Sequence, residues 1–236
     1  MKAPKRWISL ALVFVLLAAL LTGVAACSGG GDNVDPDAVL KQASANMKDI
    51  AGFHFVYEVH QPASAEPSSG LYIARITGDV NSEGSMQSTV DATYGGIPVS
   101  IGLVAVDDTY YFQDPLSKEW RTLAAADSPV GELNLQAGTI QILERITDTS
   151  YEGTESKGGT ETYHITGMVA AEEVKAIAGA VESTDSFPTD IWVGTEDYLV
   201  YEVDIKGAAT PNEDPEIWRS IVLSDLDEFV DIQPPQ

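Results

Sequence analysis

Cys27 is the only cysteine of the 236-residue chain, and it stands directly after Val24-Ala25-Ala26. Lys2, Lys5 and Arg6 give a basic start, and an apolar run from Trp7 to Leu21 precedes the small residues. A basic start, an apolar stretch and a small-residue cut site make a secretory leader. The run is short against the ~20 residues needed to cross a bilayer. Other groups that could do chemistry are sparse. His54, His60 and His164 lack any His-x-x-x-His spacing, and Cys27 has no second cysteine to share a metal or a disulfide. No Gly-x-Ser-x-Gly elbow and no Ser-x-x-Lys follows residue 26. Acidic clusters at Asp32 to Asp37, Asn212-Glu213-Asp214 and Asp225 to Glu228 lack the ligand spacing and central glycine of a calcium loop. They read as solvated loops. The expectation is a protein without catalytic residues, metal or cofactor.

The order Val-Ala-Ala-Cys resembles the lipobox of bacterial lipoproteins. The resemblance implies that the Cys27 thiol receives a diacylglyceryl group and that the chain is cut just before it. Residues 1–26 are then a lipoprotein signal peptide and residues 27–36 a flexible polar tether, with Gly29-Gly30-Gly31 allowing the domain to stand off a surface. Two or three acyl chains hold a protein stably where one does not. The expected location is the outer face of the cell membrane, lipid-anchored.

Removing the three basic residues of the leader takes the formal net charge from −23 to −26. Such a surface repels nucleic acid and anionic headgroups, so attachment to a membrane must come from the anchor. With 44% hydrophobic residues a core is available, and no long Pro/Ser linker or repeat divides residues 37–236. One domain is expected there.

Asp35-Pro36-Asp37 starts a helix, and Val39, Leu40, Ala43, Met47 and Ile50 recur at helical spacing until Gly52. The period then changes to two. Phe53, Phe55 and Tyr57 share one face of a first strand, with His54 and His60 on the other. Pro62 to Gly70 reads as a loop. Strands follow at Leu71 to Val80, Ser85 to Tyr94 and Ile97 to Val106, with a Gly95-Gly96 hairpin turn, then at Thr109 to Gln113 and around Trp120. Helical patches cover Leu133 to Ile146 and Ala170 to Val181. Further strands lie at Ser150 to Glu155, Glu161 to Gly167, Asp190 to Gly194, Tyr198 to Lys206 and Trp218 to Leu223. Hairpin-length connections make sequential strands sheet neighbours. Trp192 and Trp218 read as core or rim aromatics.

Several stretches resemble the LppX/LprA/LprF/LprG family of envelope lipoproteins. They are Ile76-Thr77-Gly78-Asp79-Val80, Val104 to Tyr111 followed by Trp120, Ile191-Trp192-Val193 with Tyr198 to Tyr201, and Phe229 to Pro234. The resemblance implies an α+β fold of LolA/LolB type, a strongly curved antiparallel β half-barrel with helices covering its concave face. It further implies a hydrophobic cavity holding the acyl chains of a lipid or lipoglycan. The strand faces then nominate Phe53, Phe55, Tyr57, Ile76, Val90, Val99, Ile101, Leu103, Leu199 and Tyr201 as lining residues. Ile140, Leu143, Val174 and Ile177 are nominated from the helices. The same residues also suit an ordinary dry core, and small residues at Ala74, Gly78, Ala92 and Ala105 suit either a cavity or a sharply curved sheet. A sensor or interaction module, binding another envelope protein on the same scaffold, is the alternative.

Overall fold

The computed structural model describes residues 34–62, 71–107, 109–123, 134–178 and 181–236. The leader, Cys27, most of the tether and most of the expected Pro62 to Gly70 loop lie outside the described residues.

Helix α1 spans Pro36–Asp49. The Asp35 carboxylate accepts hydrogen bonds from the backbone N–H groups of Asp37 and Ala38, and Pro36 opens the first turn where no N–H is missed. The last two residues of the expected tether thus belong to the helix start. Val39, Leu40, Ala43, Ser44 and Met47 form its buried stripe.

Eleven strands follow in one antiparallel sheet: β1 Gly52–His60, β2 Leu71–Asn81, β3 Met86–Tyr94, β4 Ile97–Val106, β5 Thr109–Gln113, β6 Trp120–Leu123, β7 Thr147–Lys157, β8 Thr160–Ala170, β9 Ser186–Gly194, β10 Val200–Lys206 and β11 Trp218–Ser224. Their order across the sheet is β6-β5-β4-β3-β2-β1-β11-β10-β9-β8-β7. Two meanders are therefore joined where the first strand meets the last, Tyr57 opposite Ile221 and Phe55 opposite Leu223. Helix α2, Leu135–Arg145, separates the meanders, and helix α3, Ala171–Ala178, links β8 to β9. Asn134 caps α2 through the Ala137 N–H. Helix α3 is shorter than the expected Ala170 to Val181.

The rows of the sheet show how its apolar face is built. Tyr57, Ile76, Val90 and Ile101 stand side by side across four strands, as do Phe55, Gly78, Ser88 and Leu103. The missing side chain at Gly78 lets strands close tightly: a Cβ there would lie 2.2 Å from the Gln87 carbonyl and 2.6 Å from the Ser88 Cβ.

Two parity readings need correction. On β10 a bulge between Val200 and Glu202 shifts the register, so that Val200, Val203 and Ile205 are buried while Leu199 and Tyr201 are only half-buried. On α2 the fully buried isoleucine is Ile142; Ile140 and Ile146 are half-exposed.

Candidate functional site

Most of the nominated residues lie on the apolar sheet face and on the buried sides of the helices. Phe53, Phe55, Tyr57, Ile76, Val90, Ile101 and Leu103 are all buried on β1 to β4, with Leu143 on α2 and Val174 and Ile177 on α3. Val99 is half-buried beside Ala92, nearer the β3–β4 turn. Beyond it, Tyr94 and Ile97 face each other at the hairpin tip, 65% and 67% exposed, so the apolar wall continues out to the rim. Ten of the fourteen nominated lining residues thus lie buried in the interior.

Leu199 and Tyr201 do not join it. They line a cleft with Glu202, Val222 and Lys157, and the Tyr201 hydroxyl donates to Asp197 Oδ2 at 2.7 Å. Burial and the Asp197 bond both push this phenol up from its ordinary value. The extra residue of the bulge is the cause; alternation read along β10 fails at that point.

One polar group inside the wall escaped the sequence reading. Arg219 is opposite Val59 and Ile205 on the inner face and only 3% exposed. Its guanidinium donates to Glu213 Oε1 at 2.5 Å and to the Gly207 carbonyl at 3.1 Å. Burial pushes the neighbouring Tyr57 phenol up, and Arg219 partly offsets this. An arginine in a strand of alternating apolar residues, Ile217 to Leu223, was the available signal.

A groove of about 730 Å³ lies between α1 and α2, lined by Leu40, Ser44, Ala45, Lys48, Leu143 and Ile146 among others. Glu144 bridges it. The carboxylate accepts from Ser44 Oγ at 3.0 Å and pairs with Lys48 Nζ at 2.5 Å, and these two partners hold Glu144 below the ordinary carboxylate range, Lys48 contributing most. Gln136 also donates to the Met47 carbonyl, tying α2 to the end of α1. Among the described residues, the side-chain bonds from α1 to the sheet side run to Thr149 on β7 and to the Asp197 carbonyl before β10.

The outer face over β8 to β11 is also built up rather than bare. Trp192 is buried there, with the His164 ring stacked at 4.6 Å and Lys157 Nζ 3.6 Å from its centroid. Its indole N–H donates to Glu155 Oε2 at 2.9 Å and holds that carboxyl low. The two His164 ring nitrogens face Glu155 Oε1 at 3.2 Å and Asp190 Oδ1 at 2.8 Å. Burial pulls Asp190 upward, but hydrogen bonds from Lys206 and His164 outweigh it and leave its carboxyl lowered. Trp192 and Trp218 are therefore outer-face aromatics and not part of the interior. His54 and His60 lie on the outer face as expected, His54 against Asp79 and His60 stacked on Trp218 at 3.7 Å.

A half-barrel of one continuous antiparallel sheet with a helical layer over its apolar face is the scaffold of known envelope lipoproteins. LprF from Mycobacterium bovis superimposes with a TM-score of 0.65 at 16% identity, covering 85% of this chain and 96% of that one. LppX from Mycobacterium tuberculosis gives 0.59 at 19% identity, covering 84% and 98%. Residues 35–232 match the LppX_LprAFG lipoprotein family, and the chain belongs to it. Among relatives, the lipoarabinomannan carrier protein LprG of Mycobacterium leprae is 28% identical over 100% of this chain and 99% of its own length.

Proposed function

We propose that this protein is a membrane-anchored carrier that takes the acyl chains of a lipid or lipoglycan between its helices and its curved sheet. The observation that carries the reading is the continuous apolar wall, running from the buried row Tyr57–Ile76–Val90–Ile101 through Val99 to the exposed tip at Tyr94 and Ile97. The naming of a relative as a lipoarabinomannan carrier supports it. Attachment is assigned to acylated Cys27, with residues 1–26 as the removed leader and 27–34 as the tether.

Energetics define what such a protein contributes. Each methylene removed from water is worth about 0.8 kcal/mol, so a long acyl chain gains on the order of 10 kcal/mol on burial. A bilayer offers the same gain. Exchange between the two is then nearly balanced, and the carrier acts by keeping the chain out of water during transfer. That work needs no nucleophile.

These wall residues are buried in the structure, and we place loading at a parting of the helix layer. The groove between α1 and α2, with Leu40 and Leu143 along it, is where we place the opening. The test is native mass spectrometry of residues 33–236 purified from cells without detergent. The expected result is bound acylated lipid, with occupancy reduced about tenfold or more by Leu103→Trp or Ile101→Trp, since overfilling costs roughly 1–3 kcal/mol at such sites. Lipid-free protein in every preparation refutes the reading.

A further inference from the structure

The outer face carries two tryptophans beside carboxylates, and only one of the two pairs is filled. Trp192 lies directly opposite Glu202, and Lys157 completes that pair, its ammonium 3.6 Å from the ring centroid and 3.0 Å from Glu202 Oε2. Trp218 and Asp204 stand diagonally across β10 and β11, where Asp204 faces Ser220 and Lys206 faces Trp218. Asp204 is 9% exposed, and its Oδ1 is buried with no hydrogen-bond partner among the described residues.

Among the described residues, the lysines and arginines around this point are already committed. Lys206 pairs with Asp190 Oδ2 at 2.6 Å, Lys157 with Glu202, Arg219 with Glu213 and Arg75 with Glu58. Asp204 is left without an ion-pair partner of its own among the described residues, and only the committed Lys157 and Lys206 act on it from a distance. Burial first, and then the Glu202 and Asp190 carboxylates, push it up to about 7 against the opposing pull of Lys157 and Lys206, so a further cation placed beside it is favoured. Asp204 and Trp218 also share a cleft of about 370 Å³ with Lys206, Pro215, Glu216 and Ile217. His60 covers one face of the indole. The rest of the lining is apolar apart from Lys206 and Glu216.

We infer that this cleft binds an organic ammonium group, its charge set against Asp204 and its alkyl substituents against Trp218 and Ile217. A carboxylate and an aromatic wall, desolvated together, form the arrangement that recognises alkylated amines in preference to neutral compounds of the same shape. The chain itself uses the combination at Trp192, with Lys157 as the cation. A sugar would also stack on an indole, but it gains little from uncompensated negative charge. The inference is independent of lipid carriage in the interior.

The test is calorimetric titration of the full chain, held in nonionic detergent, with choline and with its uncharged analogue in which carbon replaces nitrogen. Choline is expected to saturate a single site, and the analogue to bind about tenfold more weakly or worse. Asp204→Asn keeps the side-chain shape and removes an uncompensated buried charge, so the variant should fold; it is expected to lose about tenfold or more in choline affinity. Trp218→Leu should weaken binding as well. Glycerophosphocholine separates the sources of the cation: equal binding assigns the site to a lipid headgroup. Weaker binding assigns it to a soluble amine, because the added phosphate meets Asp204 and Glu216. No saturable choline binding, equal binding by Asp204→Asn, or equal binding of the uncharged analogue overturns the proposal.

Discussion

Replacing Asp204 by asparagine is expected to stabilise the protein at neutral and alkaline pH and to have little effect near pH 4. The carboxyl titrates at about 7 in the folded chain against an ordinary 3.8. The unfolded chain therefore gives up this proton at lower pH than the folded one. Below about 4 both states hold it and the group is neutral to stability. Between about 4 and 7 the folded state alone holds it, so stability falls as pH rises, and above about 7 the full penalty applies. A three-unit window at 1.36 kcal/mol per unit sets a ceiling of about 4 kcal/mol. Water in the adjoining cleft screens the charge, and about half that figure, roughly 2 kcal/mol, is the expected penalty. An asparagine amide has no charge to desolvate and its N–H groups suit the Glu202 and Asp190 carboxylates. The assay is urea denaturation of both proteins from pH 4 to 9. Groups away from this cluster titrate alike in the two, so the difference in unfolding free energy reads this carboxyl together with its coupling to Glu202, Asp190, Lys157 and Lys206. It should rise from near zero to a plateau above pH 7. A difference that does not vary with pH, or a variant less stable than its parent at pH 8, refutes the reasoning.

Two further outcomes follow from the packing. Gly78→Ala should lower stability by about 3 kcal/mol in denaturant titration, because the added Cβ meets backbone at Gln87 and Ser88 and not the end of a flexible side chain; a loss within about 0.5 kcal/mol means the strands separate freely. Lys48→Glu replaces the Lys48–Glu144 pair across the α1–α2 groove by two carboxylates. It should speed lipid release to acceptor vesicles several-fold in a fluorescence transfer assay, and an unchanged rate removes this groove as the opening.

How much could be read beforehand depended on what covers each strand. On β3, Met86, Ser88, Val90 and Ala92 are buried while Gln87, Thr89 and Asp91 are exposed. One wet face and one packed face give a clean period of two, and the buried residues of β1 to β4 were legible for that reason. On β9 and β10 the outer face is roofed by Trp192, Lys157, His164 and their partners. Thr189 through Gly194 are all buried, as are Val203, Asp204 and Ile205. Period two disappears where both faces are covered, and with it went the β10 bulge and the misplaced Leu199 and Tyr201. The β1–β11 pairing is of another kind: it joins residues more than 150 positions apart, as Tyr57 to Ile221, and no local pattern encodes it. Asp204 left no trace of its own, since Glu202, Asp204 and Lys206 alternate with Val203 and Ile205 as on an ordinary wet face. A buried charge that no neighbour neutralises is a departure from ordinary packing, and such departures concentrate at sites of function.

The same contrast bears on how the interior would open. Strands β8 to β11 are braced on their outer face by the aromatic and ionic cluster, and the described bonds from α1 reach β7 and the turn before β10. The helix layer is thereby pinned to that half of the sheet. On β1 to β4 the buried side chains, such as Phe55, Val90 and Leu103, are apolar, and their contacts are non-directional and are replaced without loss by an acyl chain. Hydrogen bonds and ion pairs hold one position; apolar surfaces accept any partner of suitable shape. On the proposed carrier reading, an entering acyl chain would find its least resistance along β1 to β4, where the strands close tightly at Gly78 and the wall runs out to Tyr94 and Ile97 at the rim.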